Sequence, residues 1–176
     1  MKLDIYEKER PVGIQIFGAN LDSMLRSVDI VEKTNPDIID INFGCPVKKV
    51  VCKGAGAGIL KDIDKMEVLT REMAKRTKLP VTVKTRLGWD EKTIKIVEVA
   101  ERIQDAGAKA ITIHGRTRAQ MYKGNADWSL ISEVKNNQRM KIPVFGNGDV
   151  NSPEKAVEMR DKSVSYTHLT LPTKSR

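Results

Sequence analysis

Two cysteines stand in 176 residues, and one of them, Cys45, sits in the run Asp-Ile-Asn-Phe-Gly-Cys-Pro (40–46). An apolar stretch, Ile38-Ile39-Asp40-Ile41, ends in Asn42-Phe43, and a Gly–Cys–Pro turn follows. Cysteine is among the most buried residue types, so Cys45 is either a small apolar filler or a thiol placed to react. A thiol is mostly protonated at neutral pH and can hand over a proton where a carboxylate could not. Other polar residues sit in similar places. Lys84 and Arg86 lie within the apolar run Val81–Arg86, and His114 closes Ala110–His114 ahead of Gly-Arg-Thr-Arg (115–118). Gln15 lies in Val12–Phe17, and Asn147-Gly148-Asp149 follows Ile142–Gly146. The histidines are His114 and His168, so a metal cluster is poorly supported, and no Ser/His/Asp arrangement is apparent.

Each of these residues also has a structural reading. Gln15 can tie down a loop, and Lys84 can extend its stem to solvent. A lone histidine is more often structural than catalytic, and Asn-Gly-Asp is a turn signal. The elements that position them decide between the readings. The five runs are too short and too apolar for helices, and several are bounded by Pro or Gly. Between them lie helical stripes. Leu21, Met24, Leu25, Val28 and Val31 share one face, as do Ile63, Met66, Leu69 and Met73. A third stripe is Ile94, Val97, Ala100 and Ile103, ended by Gly107, and a fourth is Trp128, Ile131 and Val134. Ser152-Pro153 begins a fifth helix.

Strand–helix alternation implies a parallel sheet covered by helices, either an open doubly wound sheet or a (β/α)8 barrel. Gly-Ala-Gly-Ala-Gly (54–58) lacks dinucleotide spacing and sits well past a strand end. The barrel is therefore preferred, with about five of its eight units present and residues 1–162 as a partial catalytic domain. Five strands do not close a barrel, so open edges, aggregation and inactivity of the isolated chain are expected. Residues 163–176 read as a non-native, adaptor-like tail, and Tyr166 and His168 are given no role.

In such a barrel the carboxyl ends of the strands form one rim. That rim gathers Gln15, Asn42, Cys45, Lys84, Arg86, His114 and Asn147-Gly148-Asp149. Loops after late strands bind phosphate, and Gly148 would let backbone N–H groups approach an anion. A lysine near the centre suits a ligand that gains negative charge. Flavin mononucleotide (FMN) satisfies both demands. The net charge of +8 favours anionic partners. No run of about 18 apolar residues and no secretory leader is present, so a cytoplasmic, reducing location without membrane insertion is expected.

Together with Val-Lys-Lys-Val-Val-Cys-Lys-Gly-Ala-Gly-Ala-Gly (47–58), Val-Thr-Val-Lys-Thr-Arg-Leu-Gly-Trp (81–89) and Ile-Thr-Ile-His-Gly-Arg-Thr-Arg (111–118), these motifs closely resemble the bacterial tRNA-dihydrouridine synthases, nearest the DusB-like branch. The resemblance spans roughly residues 10–162. It implies an FMN-containing barrel followed by a helical RNA-binding domain, and that domain is expected to be absent from these 176 residues. NADPH reduces the flavin, which then saturates the C5–C6 bond of selected tRNA uridines. It implies that Cys45 is the general acid toward uracil C5. It further implies that Gln15, Lys84, His114, Asn147, Gly148 and Asp149 hold FMN, and that Asn42 and Arg86 contact uracil or flavin. Lys48, Lys49, Arg116 and Arg118 would then ring the barrel mouth and meet tRNA phosphates. Two rival readings are an FMN barrel reducing a free pyrimidine and a non-catalytic RNA-binding remnant.

Overall fold

Period-two alternation sorts every strand into an apolar face and a polar face, and the whole architecture follows from that sorting. The computed structural model describes residues 4–162; the expected tail, 163–176, lies outside them. In chain order the elements are β1 (Gly13–Ile16), α1 (Leu21–Glu32), β2 (Ile38–Asn42), the short α2 (Lys48–Val51), α3 (Ile63–Arg76), β3 (Val81–Arg86), α4 (Ile96–Asp105), β4 (Ala110–His114), α5 (Trp128–Asn136), β5 (Val144–Asn147) and α6 (Pro153–Lys162). The strands form one parallel sheet in the order β1-β2-β3-β4-β5. This is α/β architecture of consecutive strand–helix units, a partial TIM barrel.

One sheet face is apolar and packs under the helices. Ile39, Ile41, Val83, Ile111 and Ile113 are fully buried there, against Met24 and Val28 of α1, Met66, Leu69 and Met73 of α3, and Ile131 and Val134 of α5. Each such side chain contributes about 1.5–3 kcal/mol by leaving water, so this layer holds the strands in register. The opposite face carries Gln15, Asp40, Asn42, Thr82, Lys84, Thr112, Phe145 and Asn147, all exposed or half-buried. Register places Gln15 beside Asp40, Asn42 beside Lys84, and Arg86 beside His114, which pairs with Asn147.

Helix ends follow their capping residues. Asn20 accepts from Ser23 N, Asp62 from Lys65 N and Asp127 from Ser129 N. Ser152 Oγ accepts from Lys155 N, starting α6 as the Ser-Pro pair predicts. Gly107, at φ +104°, follows the last residues of α4.

Three boundaries differ from the sequence reading, and the first is small: β1 runs Gly13–Ile16 rather than Val12–Phe17. The third stripe shifts: α4 begins at Ile96 and buries Ile96, Val99, Ala100 and Ile103, while Ile94 and Val97 only flank the core. The cause lies upstream, where Asp90 and Thr93 cap each other and wind residues 91–93 into a separate 3-10 turn. The last strand runs Val144–Asn147 rather than Ile142–Gly146, so Asn147 is a strand residue. No helix of the described residues is long and apolar enough to cross a membrane.

Candidate active site

The Cys45 turn is held from both sides by polar backbone groups. Asn42 Oδ1 accepts from Gly44 N at 3.0 Å and from Cys45 N at 2.9 Å, folding the chain back at the end of β2. Cys45 O accepts from Ala57 N at 2.9 Å. The glycine-rich run thus backs the cysteine turn. Gly56 adopts φ +54°, and a Cβ there would stand 2.8 Å from Cys45 O and 3.0 Å from Cys45 Cβ. Gly58 is equally close-packed, with Val51 O 2.8 Å from where its Cβ would be. Cys45 is half-buried and carries a free thiol, as does the exposed Cys52.

Arg86 closes this turn from the β3 side. Its Nε donates to Gly44 O at 2.8 Å, and its Nη1 donates to Met121 O at 2.8 Å and Thr117 O at 3.2 Å. The guanidinium is buried and lies 5.7 Å from the ring centre of Tyr122, itself 71% exposed. Arg86 therefore ties the loop after β4 to the cysteine turn. The sequence reading gives it a contact to uracil or flavin; three carbonyls already occupy much of its donor set.

Lys84 and His114 lie deeper. Lys84 Nζ donates to Asn147 Oδ1 at 3.1 Å, spanning from β3 to β5. Burial, then the nearby Arg86 charge, pull its pKa down to about 8. His114 is buried, and burial, followed by the positive charges of Arg86, Lys84 and Arg116, pushes its pKa down to about 3. The imidazole is accordingly neutral at physiological pH. Its Nδ1 is buried and has no hydrogen-bond partner among the described residues. Gln15 donates to Asp40 at 2.6 Å and accepts from Asn42 Nδ2 at 2.7 Å.

Two of the expected mouth cations are placed differently. Arg116 is not a solvated loop charge: its side chain is 7% exposed and 2.7 Å from Asp149. It also donates to the carbonyls of Lys123 and Gly124. A carboxylate and two carbonyls replace water around it, so it is unavailable to a phosphate at the mouth. By the same bond the Asp149 carboxylate is engaged, by Arg116 and by Ala126 N at 2.6 Å. Burial opposes ionisation of Asp149, but these two partners outweigh it and hold the carboxyl below its usual range. Asp149 thus clasps a loop rather than offering a free carboxylate. Arg118 is half-buried, its guanidinium 4.6 Å from the Trp89 ring centre, with Lys61 Nζ 3.9 Å from the same ring centre. Lys48 and Lys49 stand exposed on α2, beside the cysteine turn. Gly148, at φ +119°, has its would-be Cβ 2.8 Å from Ala126 and within 3.6 Å of the His114 ring.

Asp40, Thr82, Gly56 and Tyr122 are site residues that sequence reasoning did not single out. A carboxylate inside an apolar strand was the available signal for Asp40, because a buried charge needs donors. Tyr122 carries no local signal. Among the described residues, no group of three or more His, Cys, Asp or Glu side chains converges as a metal site would require.

The sequence profile of the dihydrouridine synthases (Dus) matches residues 1–165. The chain belongs to the dihydrouridine synthase family. Curated relatives agree. A probable tRNA-dihydrouridine synthase 1 of Synechocystis is 44% identical over 155 residues, covering 88% of this chain and 43% of that protein. The tRNA-dihydrouridine synthase B of Vibrio vulnificus is 40% identical over 153 residues, covering 86% and 47%. The chain thus spans less than half the length of these relatives. Among solved structures, the lactate oxidase of Pediococcus acidilactici superposes with a TM-score of 0.60 at 18% identity, over 92% of this chain and 48% of that one. A 2,3-dimethylmalate lyase gives 0.60 at 15%, over 88% and 54%. These two likenesses concern the fold alone. In this Dus chain Gln15, Asn42, Lys84, Arg86, His114 and Asn147 lie in or at the ends of the five strands, with Cys45 just after β2.

Proposed function

We propose that this chain carries the catalytic rim of a tRNA-dihydrouridine synthase: FMN-dependent reduction of the C5–C6 bond of a tRNA uridine, with NADPH as reductant. The observation that carries the reading is the succession of Cys45 just after β2, Lys84 within β3 and His114 at the end of β4, on three neighbouring strands of one sheet in a chain of the Dus family.

The residues present suit a flavin. The buried, unpartnered Nδ1 of His114 asks for a polar partner, and the positive charge of Lys84 acts on the same ring. Gln15, Lys84, His114, Asn147 and Gly148 would hold the group, with Asp149 acting through the loop it clasps. Bound there, FMN would supply hydride chemistry at the ring and a negative charge on reduction. Lys84 supplies a cation toward that charge, and the neutral His114 can accept or donate one hydrogen bond without adding charge. Cys45 holds a proton at Sγ, on a turn fixed through its backbone, and delivers it to uracil C5 as general acid. Asn42, already directed by Gln15, and the exposed ring of Tyr122 border the space that an extruded base must enter. Lys48 and Lys49 offer exposed charge to tRNA phosphates beside that entrance.

The test is Cys45→Ala in the full-length protein. It is expected to retain FMN, measured by flavin absorbance, and to lose most dihydrouridine formation on tRNA. Full turnover on tRNA by that variant, or wild-type turnover on free uracil with none on tRNA, would overturn the reading.

A further inference from the structure

We propose that Asp40 is a positioning residue, the accepting terminus of a one-directional hydrogen-bond chain that runs from the Cys45 turn through Asn42 and Gln15. The inference rests on the reading of Cys45 as the acid, but its geometry is independent of that reading.

Asp40 and Asn42 are two residues apart on β2 and so share a face, and register puts Gln15 of β1 beside Asp40. Gln15 Nε2 donates to Asp40 Oδ2 at 2.6 Å, and Thr82 Oγ1 donates to Asp40 Oδ1 at 2.6 Å. Gln15 Oε1 accepts from Asn42 Nδ2 at 2.7 Å. Asn42 Oδ1 accepts from Gly44 N and Cys45 N. Every donor in the chain points from the cysteine turn toward Asp40.

The two ends leave one self-consistent orientation. An ionised carboxylate only accepts, so Gln15 must turn its NH2 to Asp40 and its oxygen to Asn42. Backbone N–H groups only donate, so Asn42 must turn its oxygen to Gly44 and Cys45 and its NH2 to Gln15. Both requirements agree, which fixes two amides that could otherwise each sit in either of two orientations. Aligned bonds of this kind polarise one another. Burial outweighs the opposing Thr82 and Gln15 bonds and the Lys84 charge and leaves the Asp40 pKa above its ordinary value; those three contacts work toward the accepting form of the carboxylate.

Direction is testable by reversing it. In Asn42→Asp the new carboxylate still accepts from the turn, but its second oxygen faces Gln15 Oε1. If Gln15 flips, its oxygen then faces Asp40. One break is unavoidable. In the double variant Asp40→Asn/Asn42→Asp, the new amide donates to Gln15, and the flipped Gln15 donates to the new carboxylate, so the chain is whole again in the opposite sense. Asp40→Asn alone keeps the original sense, with its oxygen toward Gln15 and its NH2 toward the Thr82 hydroxyl.

The measurement is the iodoacetamide alkylation rate of Cys45 relative to Cys52 in the same chain, with the urea midpoint taken alongside. Asn42→Asp is expected to change the Cys45 rate several-fold and lower the midpoint. Asp40→Asn and the double variant are expected to stay near wild type. The set is repeated with Gln15→Met, which removes the middle link, and there the rescue is expected to vanish. If Asn42→Asp fails to fold, recovery of folding in the double variant supports the chain, and failure of both overturns it. Rescue that persists with Gln15→Met means direct repulsion between two carboxylates and also overturns it. None of these readouts depends on turnover, so loss of the proposed acid role for Cys45 would leave this result standing or falling by itself.

Discussion

The Arg116 guanidinium lies 2.7 Å from the Asp149 carboxylate and closes the loop after β4 onto the loop after β5. Its side chain is 7% exposed and that of Asp149 is 33% exposed. Removing one partner of a buried pair strands the other charge and costs about 3–5 kcal/mol. Arg116→Ala is expected to fall in that range by urea denaturation. Arg116→Lys is expected to recover only part, because an ammonium cannot match the fork that also reaches Lys123 O and Gly124 O. Asp149→Asn is expected to cost less than Arg116→Ala, since an amide oxygen can still accept from Arg116 or Ala126 N and Arg116 keeps the carbonyls of Lys123 and Gly124.

Gly56 and Gly54 separate two causes of strain. Both adopt positive φ, but a Cβ on Gly54 meets only Ala19 Cβ at 3.6 Å, whereas one on Gly56 meets Cys45 O at 2.8 Å. Gly56→Ala is expected to destabilise by about 1–3 kcal/mol more than Gly54→Ala. It is also expected to change the alkylation rate of Cys45, which Gly54→Ala leaves alone. Urea midpoints and thiol kinetics on the two variants check this.

His114 has a folded pKa of about 3 against an ordinary 6.5, lowered first by burial. Between those values the unfolded chain binds more protons than the folded one. The stability tied to a neutral His114 is therefore full above pH 6.5 and is lost as pH falls toward 3. Its ring resonances are expected to stay those of neutral imidazole down to about pH 4 in an NMR titration. His114→Gln is expected to weaken the loss of stability between pH 6.5 and 4.

Lys84 runs the same argument at the alkaline end. Burial lowers its pKa from 10.5 to about 8, so the unfolded chain binds more protons between those values. Its contribution therefore makes stability rise with pH through that window. At pH 7 the buried ammonium is a cost of up to about 3 kcal/mol. Lys84→Met is expected to be more stable than wild type at pH 7, and the difference is expected to shrink by pH 10. Denaturation curves at both pH values measure it. A stabilising loss of this kind is what a residue retained for chemistry rather than for folding shows.

The sheet was largely legible in the sequence, because alternation of apolar and polar residues states both the strand and its two faces. Ile38–Asn42, Val81–Arg86 and Ala110–His114 match the observed strands to the residue. The register of α4 was not, since the Asp90–Thr93 cap consumes residues that carry helical spacing on paper. At the site, a charge could be counted from the sequence but its partner could not. Arg116 and Arg118 both follow His114 and look alike, yet one pairs with a carboxylate and the other stacks on Trp89. Those partners lie across loops, in the order that only tertiary packing sets.

Every bond that fixes the Cys45 turn uses main-chain atoms of Gly44 and Cys45: two N–H groups to Asn42, one carbonyl to Ala57 and one to Arg86. The thiol itself takes no part in building the place where it stands. Position 45 therefore behaves as a socket whose shape does not depend on its plug. A selenocysteine, an isotope-labelled thiol or a serine set there would report on the site without remodelling it.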